Sequence, residues 1–142
     1  MNDELDGGRA ALARYAQDVL RGQAVYRGYR PRSGLLRQIG TMLPQARVLV
    51  ISASWCADCR REVPKFARIL EELPAGWTAE LRGDDEDVRT RYAVRAIPTF
   101  LVLASPDGPE LGRIIESPAS SEGLEGDLLA IAERSQASQR AA

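Results

Sequence analysis

Residues 48–64, VLVISASWCADCRREVP, constrain this chain more than any other stretch. A run of β-branched and aliphatic residues, the pattern of a buried strand, passes through Trp55-Cys56-Ala57-Asp58-Cys59 into a segment with helical character. The two cysteines at that junction are the only ones in the protein. Two residues between them, with the second opening a helix, bring both sulfurs within reach of a disulfide and set the first at the helix start. Unpaired backbone N–H groups and the positive end of the helix dipole favour a thiolate there. Cys56 is therefore the expected nucleophile toward a disulfide, and Cys59 the thiol that resolves the mixed intermediate.

With these features in this order, the chain resembles the thioredoxin superfamily. Pro64 falls five residues after the second cysteine, where that superfamily carries a proline that kinks the active-site helix. Residues 92–100, YAVRAIPTF, are similar to the stretch leading into its cis-proline loop, with Pro98 as the proline that packs against the redox pair. The likeness runs from about Arg47 to Glu133 and leaves the residues before it unmatched. It implies a thioredoxin-like α/β fold, a central mixed sheet of about four strands flanked by helices, with a helical N-terminal extension. It also implies a cis Ile97–Pro98 bond, with the Ile97 backbone free to pair with an extended substrate. Trp55 would shield the mixed disulfide from water, with core packing as its plainer reading.

Two positions depart from thioredoxin. Where that family buries an aspartate six residues before the first cysteine, as proton acceptor for the second, this chain has Val50. Glu80, on the next expected strand, is a candidate acid/base in its place, although a solvent-facing strand residue is the favoured reading. Between the cysteines stands Asp58 where thioredoxin has proline. Its charge opposes a nearby thiolate, but a carboxylate also suits a helix start and can cap it, and the two effects oppose each other.

The length of 142 residues suits one domain. The expected division is a helical segment over 1–44, a thioredoxin core over 45–134 and a frayed tail over 135–142. A net charge of −1 with both signs interspersed provides no basic face for nucleic acid or anionic membrane. The acidic start, residues 1–6, lacks the pattern of an export signal, and no stretch approaches membrane-spanning length, so a cytoplasmic location is expected. There a cysteine pair is catalytic or metal-binding more often than a structural staple. The absence of histidine removes Ser-His-Asp and Cys-His mechanisms and the commonest metal ligand. No flavin or nicotinamide motif is present, so no cofactor is expected and electrons must come from an external thiol or reductase.

Along the chain, apolar spacing predicts a helix over residues 9–20, a loop with Tyr26 and Tyr29 packed on the domain, and a helix capped by Ser33 that ends before Pro44. Then follow a strand over 48–53, the active-site helix to about Leu73, and a strand over 77–82, a right-handed crossover with parallel strands. The acidic run 84–87 opens a short helix, a dipole-stabilised start rather than a metal site. Strands over 99–104 and 110–115 form a hairpin, Gly112 marks a bulge or close approach, and a helix over 121–134 closes the chain. The expected function is a thiol–disulfide oxidoreductase acting mainly as a reductant on protein or small-molecule disulfides. A non-catalytic binding module of the same fold is one alternative, and a metal or iron–sulfur site shared by two subunits is another.

Overall fold

Five consecutive buried residues, Val48 to Ser52, close the strand β2 (Gln45–Ser52) at the middle of the sheet. A continuous aliphatic run encodes such a strand because both of its faces are covered. The computed structural model describes residues 9–141, so the expectation for the acidic residues 1–6 lies outside the described part. Within it, β3 (Gly76–Gly83) pairs with β2 in parallel, β4 (Thr99–Leu103) pairs with β2 antiparallel, and β5 (Glu110–Ile115) pairs with β4 antiparallel. These are the four expected strands. A fifth, the short β1 (Arg9–Ala11), lies antiparallel on the outer edge of β3, giving the order β1-β3-β2-β4-β5.

That edge strand corrects the helix expected over residues 9–20. Arg9, Ala10 and Ala11 instead satisfy their backbone groups against Arg82, Leu81 and Glu80, and the helix α1 is confined to Leu12–Asp18. Its Leu12, Tyr15 and Ala16 are buried as the spacing predicts, while Leu20 is buried from a separate 3₁₀ turn. The supposed loop that follows contains a short helix, α2 (Ala24–Gly28), whose Tyr26 is buried and donates to Glu71. In α3 (Ser33–Met42), Ser33 is the first helical residue and not the cap. Its hydroxyl donates to Glu72 Oε1 at 2.6 Å, tying α3 to the helix α4 (Ala57–Glu72).

Alternation along the strands sorts the sheet into two faces. Val50 lies across from Phe100 and Leu81, and the Phe100 ring packs at a tilt of 47° against Phe66 of α4 with centroids 5.2 Å apart. The same face receives the last helix, α6 (Gly123–Ala141), at Gly112, where an added Cβ would come within 2.7 Å of Ile131. Gly112 thus marks the close approach, next to a register shift at Val102/Leu103. The opposite face carries Leu49, Glu80 and Leu101 toward α5 (Glu86–Tyr92), which Asp85 caps by accepting from the Val88 amide at 2.8 Å. The acidic run is a helix start, as expected. The tail does not fray at residue 135: α6 runs on to Ala141. Among the described residues no helix is long and apolar enough to cross a membrane.

Candidate functional site

Where β2 ends, the chain turns through Ala53, Ser54 and Trp55 and enters α4 with Cys56 as its N-cap. The Cys56 amide donates to Ala53 O at 3.3 Å, and Arg60 reaches back from the helix to Ser54 O at 3.1 Å, so the turn is held from both sides. Extended backbone at Cys56 points its side chain over the first helical turn, where Sγ accepts the Cys59 N–H at 3.1 Å. A cysteine sulfur here does what a serine or aspartate oxygen does at other helix starts. An amide aimed at sulfur in this position is the contact that negative charge on that atom would use.

Asp58 is not the cap. It stands in the first turn of α4 with its carboxylate on Arg61 Nη2 at 2.7 Å, so its charge is neutralised by a neighbour. Pro64 is buried inside α4, where it removes one helical N–H donor. Ala57 is exposed, and Trp55 is 68% exposed. A side chain that large and that open is not core packing, and it presents an aromatic face beside the cysteines.

The second wall comes from the loop before β4. Ile97–Pro98 is cis, and the Ile97 carbonyl lies 3.7 Å from Cys56 Sγ. Pro98 O accepts the Glu116 amide at 2.7 Å, and the Thr99 hydroxyl donates to Ala96 O at 2.6 Å, so the loop is anchored on each side of the proline. Residues some forty positions apart in sequence meet at one sulfur.

Both cysteines are free thiols, but their surroundings differ. Cys56 is 8% exposed and Cys59 only 2%. Burial pushes the Cys59 thiol up to about 12, and its hydrogen bond with Cys56 pushes the same way. The Ser52 side chain and the Ala53 backbone also bond to it and pull it down. Ser52 is a residue that sequence reasoning missed. As the polar end of an apolar strand it carried one weak signal.

The raised Cys59 value predicts a pH effect on stability. Between the ordinary thiol value near 9 and about 12, the unfolded chain releases a proton that the folded chain keeps. The folded state of the reduced protein therefore loses stability as pH rises through that window, and keeps the full contribution below it. Tyr26 and Tyr29 are raised as well, chiefly by burial, so the comparison must be made by difference. In urea titrations at pH 8 and pH 10.5, reduced wild-type protein should lose more stability than Cys59→Ala. Equal losses would remove Cys59 as the cause.

Glu80 does not join the cysteines. Register sets Glu80 across from Leu49 and Gly83 across from Ser52, which puts Glu80 on the face of the sheet away from Ser52 and Cys59. It is buried there, neither solvent-facing nor a base for Cys59, with Arg47 Nη2 at 2.9 Å and Arg82 Nε at 3.9 Å. A four-thiolate centre shared by two subunits would need both sulfurs at the surface, and the burial of Cys59 withholds one of them. Among the described residues no three His, Cys, Asp or Glu side chains gather as a metal site.

A family model described as thioredoxin matches residues 9–133. Thioredoxin H-type of Oryza sativa subsp. indica is 32% identical over 69 residues, 48% of this chain and 55% of the relative. Thioredoxin H-type of Fagopyrum esculentum is 33% identical over 69 residues, 48% of this chain and 58% of the relative. The chain thus spans little more than half the length of these curated relatives. Among solved structures, a protein of unknown function from Pseudomonas aeruginosa superposes with a TM-score of 0.54 at 25% identity, covering 87% of this chain and 82% of that one. An HIV epitope scaffold superposes with a TM-score of 0.55 at 26% identity, over 86% and 82%.

Proposed function

Because the chain belongs to the thioredoxin family, we propose that it is a thiol–disulfide oxidoreductase in which Cys56 attacks a substrate disulfide and Cys59 resolves the product. The observation that carries this reading is the Cys56 sulfur itself. It caps α4, takes an amide hydrogen from Cys59 at 3.1 Å and lies 3.7 Å from the carbonyl before the cis proline. One exchange requires a reactive sulfur, a second thiol one helical turn away and a surface that aligns the incoming bond. Exposed Trp55 and Ala57 on one side and the Ile97–Pro98 loop on the other supply that surface.

The substrates are protein or small-molecule disulfides. The direction is reduction, in the cytoplasm, with electrons from an external thiol or reductase. A catalyst of this kind reduces insulin in the presence of dithiothreitol faster than dithiothreitol does alone. A rate equal to that of the dithiol would leave a binding module of the same fold and end the enzymatic reading.

A further inference from the structure

Nothing acidic from β2 reaches Cys59. The residue one step back from Ser52 on the same face is Val50, and Glu80 lies on the other face. What β2 does send is Ser52, 3% exposed, whose side chain bonds to the Cys59 sulfur. A cavity of about 40 Å³ lies against both residues, and Ser54, Arg60, Tyr15 and Gln23 also line it. That volume holds about one water molecule. Gln23 is exposed at its rim, so the cavity communicates with solvent. The polar residues lining the cavity with Cys59 are therefore Ser52 from β2, Ser54 from the turn, Tyr15 from α1, Gln23 and Arg60 from α4 itself, and no carboxylate is among them.

We propose that Ser52 is the residue that readies Cys59 for resolution, donating its hydroxyl hydrogen to the sulfur while the Cys59 proton departs through water in this cavity. The proposal rests on Cys59 being the resolving thiol. In the mixed disulfide, Cys56 Sγ is bonded to a substrate sulfur. The Cys59 thiol gives its proton to water at the cavity, and the thiolate, held by Ser52, attacks Cys56 Sγ. The Cys56–Cys59 bond forms as the Cys56–substrate bond breaks, and the substrate sulfur leaves with the electron pair and takes a proton from solvent. The protein ends oxidised by two electrons and the substrate reduced by two. Burial opposes the thiolate of Cys59 and the Ser52 bond favours it, which is the direction the step needs.

Mixing reduced protein with one equivalent of 5,5′-dithiobis(2-nitrobenzoate) separates the two halves of the reaction. The first nitrothiobenzoate released reports attack by Cys56, and the second reports resolution by Cys59. Ser52→Ala should leave the first phase unchanged and slow the second about ten- to a hundredfold, the size of a hydrogen bond to a charged group. Ser52→Thr, which keeps the hydroxyl, should restore it. Gln23→Trp, placed at the exposed rim to fill the cavity, should slow the second phase alone. A second phase at the wild-type rate in Ser52→Ala overturns the proposal. So does an equal slowing of both phases, and so does an unchanged Gln23→Trp protein should Ser52→Ala fail to fold. Wild-type protein that releases only one equivalent would instead remove the resolving role of Cys59, and with it the function proposed above.

Discussion

Cys59→Ser protein exposed to a disulfide substrate should accumulate a covalent adduct at Cys56, and Cys56→Ser protein should form none. Both variants should lose turnover completely, down to the rate of the added dithiol. The asymmetry follows from where the sulfurs sit. Cys56 caps α4 beside exposed Trp55 and the Ile97 carbonyl, whereas Cys59 is 2% exposed behind it with its thiol pushed up to about 12. In the proposed mechanism the first meets the incoming disulfide and the second releases it. Mass spectrometry of the trapped species reads the answer directly. An adduct on Cys59 in the Cys56→Ser protein, formed as fast as the one on Cys56, would reverse the assignment.

Glu125→Ala should cost about 3–5 kcal/mol of folding stability, the usual penalty for breaking a buried charged network from one side. That is a large share of the roughly 5–15 kcal/mol that holds a domain together. The Glu125 carboxylate is wholly buried in the first turn of α6. Tyr29 Oη donates to it at 2.8 Å, the Arg32 amide donates at 2.9 Å, and Arg32 Nη1 lies 3.7 Å away. Gly123 enters this cluster with a φ of +73°, and an added Cβ there would come within 3.2 Å of Arg32 Nη1. Removing the carboxylate leaves a half-buried hydroxyl and a backbone amide without their acceptor and unties the N-terminal segment from α6. Tyr29→Phe deletes one donor and leaves the Arg32 contacts, so its cost should be smaller, about 1.5–3 kcal/mol. Urea denaturation of the three proteins tests the order. A loss under about 1 kcal/mol for Glu125→Ala would place this cluster with ordinary surface pairs.

Tyr29 also shows where reading residues in a row reaches its limit. Its packing on the domain was legible as the usual fate of a scattered aromatic, but its partner stands 96 residues away. The same holds for β1. The spacing of Leu12, Tyr15 and Ala16 marked a helical face, and those residues are buried, yet Arg9 to Ala11 became a strand because β3 offered an unpaired edge. Ser33 had the right chemistry for a cap and was drawn instead to Glu72 across the structure.

The strand into the cysteine turn, the helix behind it and the hairpin are written in local periodicity and turn chemistry, which need no distant partner to act, whereas the proline loop was legible only through the family resemblance. A side chain at period two or 3.6 carries its own instruction about which way it faces. Which face of the sheet holds a given acid, and which polar atom touches Cys59, depend on register between strands that lie far apart in the chain. Glu80 and Ser52 are both polar strand residues, and only the pairing of β2 with β3 turns one toward the arginines and the other toward sulfur. Long-range pairing is chosen by the free energy of the whole core, so no single stretch contains it.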